Sequence, residues 1–334
     1  MTLCIVYKYR NQHFLISDII ISSNDDRLED VIPEDILKAP KIRQRTITRL
    51  DRKIVKINPT LALQWSGNYD RARFAIKMLD QFDFNSEASI DSFIKQYCQG
   101  FTAVISGVID GKFVFRSTGL VRGFHHDDGF IACIGSGADE FLERFKSIFP
   151  TKFPTQYSEI ISVCLEMVHY DVSGIFDGGY GFWFEVYYLN QDHGFLPLQI
   201  SSRDLVNDNG EYYLGDRRTL SYYSGDDLCL IYGINPRIGA KFFFLPCLRG
   251  PKNKLPPPLR WEIKPDFTLT HIINLGLKLR EGTQSSDFGR PEEKFIVTRT
   301  GKLIDSKIAN LHKILDRCGV PKEKRRVWKK KRRL

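Results

Sequence analysis

The chain has no run of about 20 consecutive apolar residues, the length that a membrane-spanning helix needs. Its first residues also lack the basic segment followed by an apolar one that marks a secretory signal peptide. Its 7 cysteines include no CxxC pair and no Cys/His cluster at metal-ligand spacing, which argues against a zinc site. We therefore expect a cytoplasmic protein with reduced, mostly buried thiols, no cofactor and no membrane partner.

The composition is that of a globular protein. Of the 334 residues, 42% are hydrophobic and 13% are aromatic, which excludes intrinsic disorder of the whole chain. The length suits one large domain or two modest ones. We find no internal repeat in the sequence.

The positive charge is concentrated near the C-terminus. Residues 291–334 hold 15 Lys and Arg against 5 Asp and Glu, whereas the remaining residues hold 34 basic and 35 acidic side chains. The chain ends in "KEKRRVWKKKRRL", which predicts a solvated basic tail over 321–334 that contacts an anionic partner such as nucleic acid. A terminus that only increases solubility explains the same composition equally well.

Short β-rich runs joined by turn residues fill the first part of the chain. The runs "TLCIVYKY" and "HFLISDIIIS" predict one hairpin, and "RKIVKIN" and "LALQWSG" predict a second one around "PT". An apolar helical period then predicts a helix with Asn68 as its N-cap. A second helix follows, with Ser89 as a candidate cap and Gly100 as its stop.

A second β-rich unit follows these helices. "FTAVISGVIDGKFVFRSTG" predicts a hairpin that turns at "DGK", and "GFIACIGSGADEFLERFKSIF" predicts a strand, a glycine turn and a helix. A further helix and a closing strand, "GGYGFWFEVYYL", complete the order. This order fits a four-layer α+β fold, in which two sheets pack face to face and helices cover their outer faces.

We predict three segments along the chain. Residues 1–200 form the four-layer unit, residues 201–320 form a smaller β-rich extension with short aromatic strands, and residues 321–334 form the basic tail. The aromatic strands of the extension could stack on single-stranded nucleic acid, but such strands more often form a core or a subunit interface.

Thr2 follows Met1 directly, which makes it a candidate N-terminal nucleophile. A small second residue lets methionine aminopeptidase remove Met1 and leaves a free α-amino group beside the Thr2 hydroxyl. A Thr hydroxyl is a weak nucleophile until a base takes its proton, and this amine can do so directly or through a water.

Four motifs follow Thr2 in a fixed order. Asp18 ends "HFLISD", Lys53 stands directly before the strand of "RKIVKINP", Gly67 ends "LALQWSG", and Ser136 lies within the Gly-Ser-Gly of "IGSGADEF". In these motifs, and over roughly residues 2–200, the chain resembles the proteasome β-subunit superfamily of N-terminal nucleophile (Ntn) hydrolases and its bacterial relatives.

The resemblance implies an αββα Ntn-hydrolase sandwich over residues 1–200, and a threonine peptidase or amidohydrolase that acts on a peptide or amide substrate without a cofactor. Family members assemble into rings or related oligomers, so the resemblance also implies a homo-oligomer. The β-rich extension would then alter assembly, control access or recruit substrate.

The resemblance also implies a role for each motif residue. Thr2 would attack the substrate, and the Lys53 ammonium would favour a neutral α-amine and a more acidic hydroxyl. Asp18 would hold Lys53 in place, and the backbone N–H of Gly67 would face the developing oxyanion. Ser136 would be characteristic of the fold more than a participant in the chemistry.

Each motif residue also has a purely structural explanation. Asp18 could cap a turn at the end of a strand, Lys53 could be one more solvated side chain, and Gly67 could simply end a strand. Ser136 could cap the helix that follows it.

The sequence departs from the family pattern in three places. Where active members carry an Asp, two residues and then Ser-Gly-Gly, this chain has "SGIFDGGYG", with Gly174 at the Asp position and Asp177 at the Ser position. Asp171 and Ser173 stand nearby as substitutes, and Ile20 replaces a usual Arg. The segment between Asp18 and Lys53 is longer than in the family and would reshape the substrate cleft. These departures favour the alternative function, a catalytically inactive assembly or binding module.

Two other groups of residues have simpler explanations. His125 and His126 in "GFHHDDGF" predict a turn rather than a metal site, because adjacent residues on a strand point to opposite faces. Cys4 is an alternative nucleophile, but a buried core thiol is the simpler interpretation.

Overall fold

The computed structural model describes most of the chain before residue 250 and two short segments after it. The described residues are 2–23, 46–126, 129–150, 153–154, 159–160, 163–164, 183–208, 211–224, 226–235, 239–245, 247–249, 259–263 and 302–303. They form a mixed α+β structure in which strands far outnumber helices. Within these ranges no helix has both the length and the apolar character needed to cross a lipid bilayer.

The strands, in chain order, are β1 (Cys4–Tyr9), β2 (Gln12–Asp18), β3 (Ile20–Ser23), β4 (Thr46–Leu50), β5 (Ile54–Lys56), β6 (Leu61–Ser66), β7 (Thr102–Ile109), β8 (Lys112–Thr118), β9 (Arg122–His126), β10 (Gly129–Ile134), β11 (Phe184–Asn190), β12 (Gly194–Pro197), β13 (Ile200–Asp208), β14 (Glu211–Ser224), β15 (Asp227–Asn235), β16 (Gly239–Leu245), β17 (Leu259–Ile263) and β18 (Lys302–Leu303). The α-helices are α1 (Tyr69–Met78), α2 (Glu87–Tyr97) and α3 (Ala138–Ile148), and a 3-10 turn follows α1 at Leu79–Gln81.

The first sheet is six-stranded, with the order β12-β11-β2-β1-β10-β9. All its neighbouring strands are antiparallel, and β1 lies near the middle between β2 and β10. The first predicted hairpin is confirmed, since β1 and β2 pair from Cys4 opposite Ser17 to Tyr9 opposite Gln12. Only two residues separate these strands, and Arg10 adopts a positive φ of 52° in the turn.

The second sheet is four-stranded, with the order β5-β6-β7-β8. The predicted hairpins of β5 with β6 and of β7 with β8 are both confirmed. In the second of these, Asp110 and Gly111 form a two-residue turn with φ values of 49° and 74°. Two positive φ values are what a tight hairpin turn requires, and Asp-Gly is a favoured pair for it.

The two sheets contact each other through the residues of β1, β2 and β6. The Gln64 side chain on β6 donates to the carbonyl oxygens of Ile5 and Ile16, at 3.3 and 3.0 Å. Val6 of β1 and Ala62 of β6 belong to the same buried hydrophobic cluster. A single core therefore lies between the two sheets.

Helices α1 and α2 cover the other face of the second sheet. Buried Ala72 and Ile76 of α1 and Phe93 of α2 share a cluster with the β6 side chains. As predicted, Asn68 is the N-cap of α1, since its side chain accepts from the N–H of Arg71 at 3.0 Å.

The prediction that Ser89 caps α2 is wrong. Ser86 is the N-cap, and Ser89 occupies the third helical position, where its hydroxyl accepts from the Ser86 N–H at 3.3 Å. The two serines therefore form a reciprocal capping box, which satisfies an additional backbone donor. This arrangement starts the helix three residues earlier than predicted.

Helix α3 covers the outer face of the first sheet. The Tyr7 ring of β1 lies 6.4 Å from Phe145 of α3 and 5.7 Å from Phe153. Tyr7 also donates to the Pro154 carbonyl at 2.5 Å. Since side chains alternate along a strand, Tyr7 faces α3 while Val6 faces the second sheet.

A third, six-stranded sheet has the order β17-β16-β15-β14-β13-β18. It begins at Ile200, and its buried residues Tyr223 and Leu228 belong to the same hydrophobic cluster as the first sheet. The Tyr223 ring packs edge-on against Tyr187 of β11 at 5.6 Å. The third sheet therefore shares a core with the first, while the predicted segment boundaries at 200 and 320 stay predictions.

Candidate active site

Thr2 precedes β1 and is held by the loop that connects β10 to α3. The Thr2 backbone N–H donates to the Ser136 hydroxyl oxygen at 3.2 Å, and the Gly137 N–H donates to the Thr2 carbonyl at 3.2 Å. The alternative explanation of Ser136 as the helix cap is wrong, because Gly137 occupies the cap position and no side chain caps the helix there. Ser136 instead contacts the nitrogen of the candidate nucleophile.

Gly135 lets this loop approach Thr2 closely. Its φ is 98°, a left-handed conformation that side chains disfavour. A Cβ placed on Gly135 would lie only 2.0 Å from the Thr2 carbonyl oxygen. The first glycine of the Gly-Ser-Gly motif is therefore required by both backbone conformation and space.

Asp18 connects the Thr2–Leu3 peptide to Lys53. One oxygen of the Asp18 carboxylate accepts from the Leu3 N–H at 2.9 Å and from the Lys53 ammonium at 2.5 Å. The Asp18 N–H in turn donates to the Leu3 carbonyl at 3.0 Å. Both side chains of the ion pair are fully buried. Lys53 is therefore not a solvated surface lysine, and Asp18 does more than cap a turn.

A second acceptor orients the Lys53 ammonium. The Ile20 carbonyl accepts from Lys53 Nζ at 2.5 Å. A buried ammonium requires this kind of pairing, because its desolvation would otherwise cost several kcal/mol.

Gly67 lies directly after β6 and adopts a φ of 102°. The end of β6 is adjacent to the start of β1, since the Cys4 thiol donates to the Trp65 carbonyl at 3.4 Å. The Trp65 N–H also donates to the Lys53 carbonyl at 3.3 Å. These contacts place Gly67, which is exposed, at the same end of the sheets as Thr2.

Cys4 lies inside the core rather than at the surface. Its side chain is buried beside Lys53 and Asp18. Burial raises the pKa of the Cys4 thiol, and the Lys53 charge opposes this rise only in part. Because the thiolate is the reactive form of cysteine, Cys4 is a poor candidate nucleophile.

Glu185 is a site residue that the sequence did not predict. Its carboxylate lies on β11, is fully buried, and accepts from the backbone N–H groups of Lys53 and Ile54 at 2.7 and 2.8 Å. The Ser17 hydroxyl donates to the same oxygen at 3.0 Å. Glu185 therefore binds the backbone at Lys53 and the side chain of the residue before Asp18.

Arg52 extends this buried network to the third sheet. Its Nε donates to Glu185 at 2.9 Å, and its two terminal nitrogens donate to the Tyr187 hydroxyl and the Asp226 carbonyl. Although burial alone would lower it, the pKa of Arg52 is raised overall by Tyr187 and Glu185. The residue next to Lys53 thus contacts both β11 and the turn between β14 and β15 of the third sheet.

The sequence carried one signal for this network. Glu185 stands alone in "FWFEVYYLN", and a lone acidic residue within an apolar strand indicates a buried, partnered carboxylate. Arg52 gave no such signal, because it lies among other charged residues in "LDRKIVK".

Several predicted features lie outside the described residues. They include Gly174, Asp177 and their suggested substitutes Asp171 and Ser173, residues 24–45 of the long segment between Asp18 and Lys53, and the basic tail over 321–334.

The histidine pair lies in a strand rather than in the predicted turn. His125 pairs with Phe130, and His126 pairs with Gly129. Across the described part of the chain, no three His, Cys, Asp or Glu side chains are arranged to hold a metal ion.

No model of a known protein family matches this chain, and no curated protein matches it either.

Proposed function

We propose that the chain is an N-terminal threonine hydrolase, a peptidase or amidohydrolase of the proteasome β-subunit type, in which Thr2 is the nucleophile after Met1 is removed. The observation that carries this proposal is the shared oxygen of Asp18, which binds both the Thr2–Leu3 peptide and the Lys53 ammonium. A carboxylate and a lysine have no need to be buried together at the start of β1 for structural reasons alone, because an apolar pair would stabilise the core at least as well.

The contacts around Thr2 support this role. Once Met1 is absent, the Thr2 nitrogen becomes an amine that retains its contact with the Ser136 hydroxyl. The nearby Lys53 charge disfavours a second positive charge, so this amine stays neutral and can accept the proton of the Thr2 hydroxyl. The attacking group and its base then belong to the same residue.

The acyl-transfer step also needs donors for the oxyanion. We propose the Gly67 N–H as one such donor, since Gly67 lies at the same end of the sheets as Thr2. A donor of this kind contributes about 3–4 kcal/mol of transition-state stabilisation in hydrolases.

The arrangement of helices and sheets supports the same proposal. Helices α1 and α2 on one side, the two sheets, and α3 on the other side follow the order of an αββα Ntn-hydrolase sandwich. We propose this four-layer architecture for residues 1–200, together with a homo-oligomeric assembly that encloses the substrate site.

Labelling with an epoxyketone tests the nucleophile directly, because this electrophile reacts with both the hydroxyl and the free amine of an N-terminal threonine. We expect the intact mass of the purified protein to show loss of Met1, and incubation to add a single molecule mapped to Thr2. A full-length protein that has lost Met1 but forms no adduct would contradict the proposal.

Three variants make this test specific. Thr2→Ala should remove the adduct while the protein stays folded, and Lys53→Arg should slow its formation by disturbing the contact with Asp18. Thr60→Ala is the matched control, since Thr60 lies in the turn before β6 and should label as fast as the parent.

A catalytically inactive assembly or binding module is the second candidate function. The observation that favours it is the burial of Thr2, of which only 3% is exposed. In that case the Asp18–Lys53 pair would have only a structural role. Epoxyketone would then leave the mass of the protein unchanged, although the protein would still assemble.

We also propose that the basic tail contacts an anionic partner such as nucleic acid. Its cluster of Lys and Arg at 322–333 would release counterions on binding, so affinity for a single-stranded oligonucleotide should fall steeply with salt. Deletion of 321–334 should abolish this binding, and unchanged affinity of the truncated protein would assign it elsewhere.

A further inference from the structure

A cavity of about 490 Å³ opens where four hairpin turns meet. The turns connect β1 to β2, β5 to β6, β7 to β8, and β11 to β12, and they contribute Arg10, Thr60, Gly111 and Gln191 to its wall. Its nearest β1 residue, Lys8, lies six residues along an extended strand from Thr2, or about 20 Å. The cavity is therefore separate from the candidate active site, and its size is that of a small-molecule site.

The charged side chains of this hairpin cavity are basic. Lys8 and Arg10 line it, and none of the described residues in its wall carries a carboxylate. The neighbouring acidic residues, Asp110 and Asp192, are exposed and lie outside the wall. The Lys8 ammonium is placed over the Phe113 ring, 5.4 Å from its centre, which holds the charge at the wall.

His13 is a buried polar group in the same wall. Its side chain is only 4% exposed. The imidazole packs edge-on against the Phe113 and Phe195 rings, with ring centres 5.1 and 5.2 Å away. Its Nε2 lies 3.5 Å from the Ser106 hydroxyl, whereas its Nδ1 has no hydrogen-bond partner among the described residues. An unsatisfied buried nitrogen costs stability, so a phenylalanine would suit a purely structural position better.

The remaining wall is mixed. Val108, Phe113 and Leu189 supply apolar surface, and the amides of Asn11, Gln12 and Asn190 supply hydrogen-bonding groups. Convergent polar groups beside an aromatic ring and a hydrophobic wall are typical of ligand sites.

We propose that the hairpin cavity binds a small molecule that carries an anionic group, a carboxylate or a phosphate, on an aromatic or apolar body. Lys8 and Arg10 bind the anionic group, Phe113 and Leu189 pack against the body, and His13 Nδ1 forms a hydrogen bond with a polar atom of the ligand. The site does not depend on the hydrolase function, and a protein without hydrolytic activity would retain it.

Calorimetric titration of the full chain at low salt tests the proposal with four probes that share one ring. Phenyl phosphate and benzoate carry the two candidate anionic groups, benzyl alcohol is neutral, and benzylamine is cationic. We expect one or both anions to bind at least tenfold more tightly than the alcohol and the amine not to bind. The stronger anion identifies the group that the site takes. Equal binding of all four probes, or no binding by either anion, would overturn the proposal.

A comparison of two lysine variants tests where the anion binds. Lys8→Gln should weaken binding of the anion about tenfold, because a hydrogen bond to a charged group is lost. Lys146 also lies over a phenylalanine ring, Phe124 at 4.9 Å, but it belongs to α3 and is outside the cavity. Lys146→Gln should therefore leave the affinity unchanged, and equal weakening by both variants would show only nonspecific attraction to positive charge.

His13→Phe separates binding from folding. An aromatic ring is kept and the unsatisfied nitrogen is removed, which offsets the larger volume of phenylalanine, so we expect a folded protein that binds the anion several-fold more weakly. A stable His13→Phe protein with parental affinity would exclude a role for His13 in binding.

Discussion

The Asp18 carboxylate lies 2.5 Å from the Lys53 ammonium, and both side chains are fully buried. The pair joins two segments of chain 35 residues apart, and the same Asp18 oxygen binds the backbone next to Thr2. The pair thus contributes to the fold and to the proposed chemistry through the same atoms, and the two contributions can be separated by mutation.

Asp18→Asn should destabilise the protein by about 3–5 kcal/mol, because it leaves the Lys53 ammonium buried without its counter-charge. The double variant Asp18→Asn/Lys53→Met removes the stranded charge and should recover at least about 1 kcal/mol of this loss, although Ile20 loses its donor. Urea denaturation measures both changes. Epoxyketone labelling should not recover in the double variant. If the loss of stability in the double variant equals the sum of the losses in the two single variants, the two charges are not coupled.

Gly135→Ala should be far more damaging than Gly111→Ala. Both glycines have positive φ, so each substitution carries a backbone cost of about 1–2 kcal/mol. A Cβ at Gly111 meets open space, whereas a Cβ at Gly135 meets the Thr2 carbonyl at 2.0 Å. We expect Gly135→Ala to displace Thr2 and to lose labelling in addition to stability. Similar melting temperatures for the two variants would refute this account of the Gly-Ser-Gly loop.

Glu185→Gln should destabilise the protein by roughly 3 kcal/mol. The carboxylate accepts from the Arg52 side chain and from the Lys53 and Ile54 N–H groups, and an amide cannot accept at both of its ends. Glu143→Gln on the exposed face of α3 is the control, and we expect a change within about 0.5 kcal/mol. Equal free energies of unfolding for the two variants would mean that the Glu185 network adds no net stability.

Local chemistry explains which elements the sequence could predict. Asp110–Gly111 requires a tight hairpin turn, and Asn68 caps α1, because both effects depend only on neighbouring residues. Ser89 was misassigned for a related reason: two serines three positions apart are both capable caps, and only the backbone geometry shows which one begins α2.

Contacts between distant segments were harder to predict. The approach of Asp18 to Lys53 was expected from the motifs alone, whereas the contacts of Glu185 and Arg52 join strands more than 130 residues apart. No local pattern specifies which buried base a buried acid will meet. The packing of the third sheet against β11 escaped prediction for the same reason, since it follows from tertiary register rather than from periodicity.

His13 makes the stability of the protein depend on pH below neutrality. Burial and, to a smaller extent, the charge of Lys8 together lower the pKa of His13 to about 3 in the folded protein, whereas the unfolded chain has the ordinary value of 6.5. Between these two values the unfolded chain binds a proton that the folded chain does not, so stability falls as the pH falls through this range and is unaffected above it. At pH 5 the loss from this group should be about 2 kcal/mol relative to pH 7.5.

His13→Phe has no such proton, so urea denaturation of parent and variant should show a difference in stability that grows by this amount as the pH is lowered. A constant difference between the two proteins from pH 7.5 to pH 5 would mean that His13 becomes protonated without unfolding, and that the hairpin cavity admits enough water to stabilise its charge.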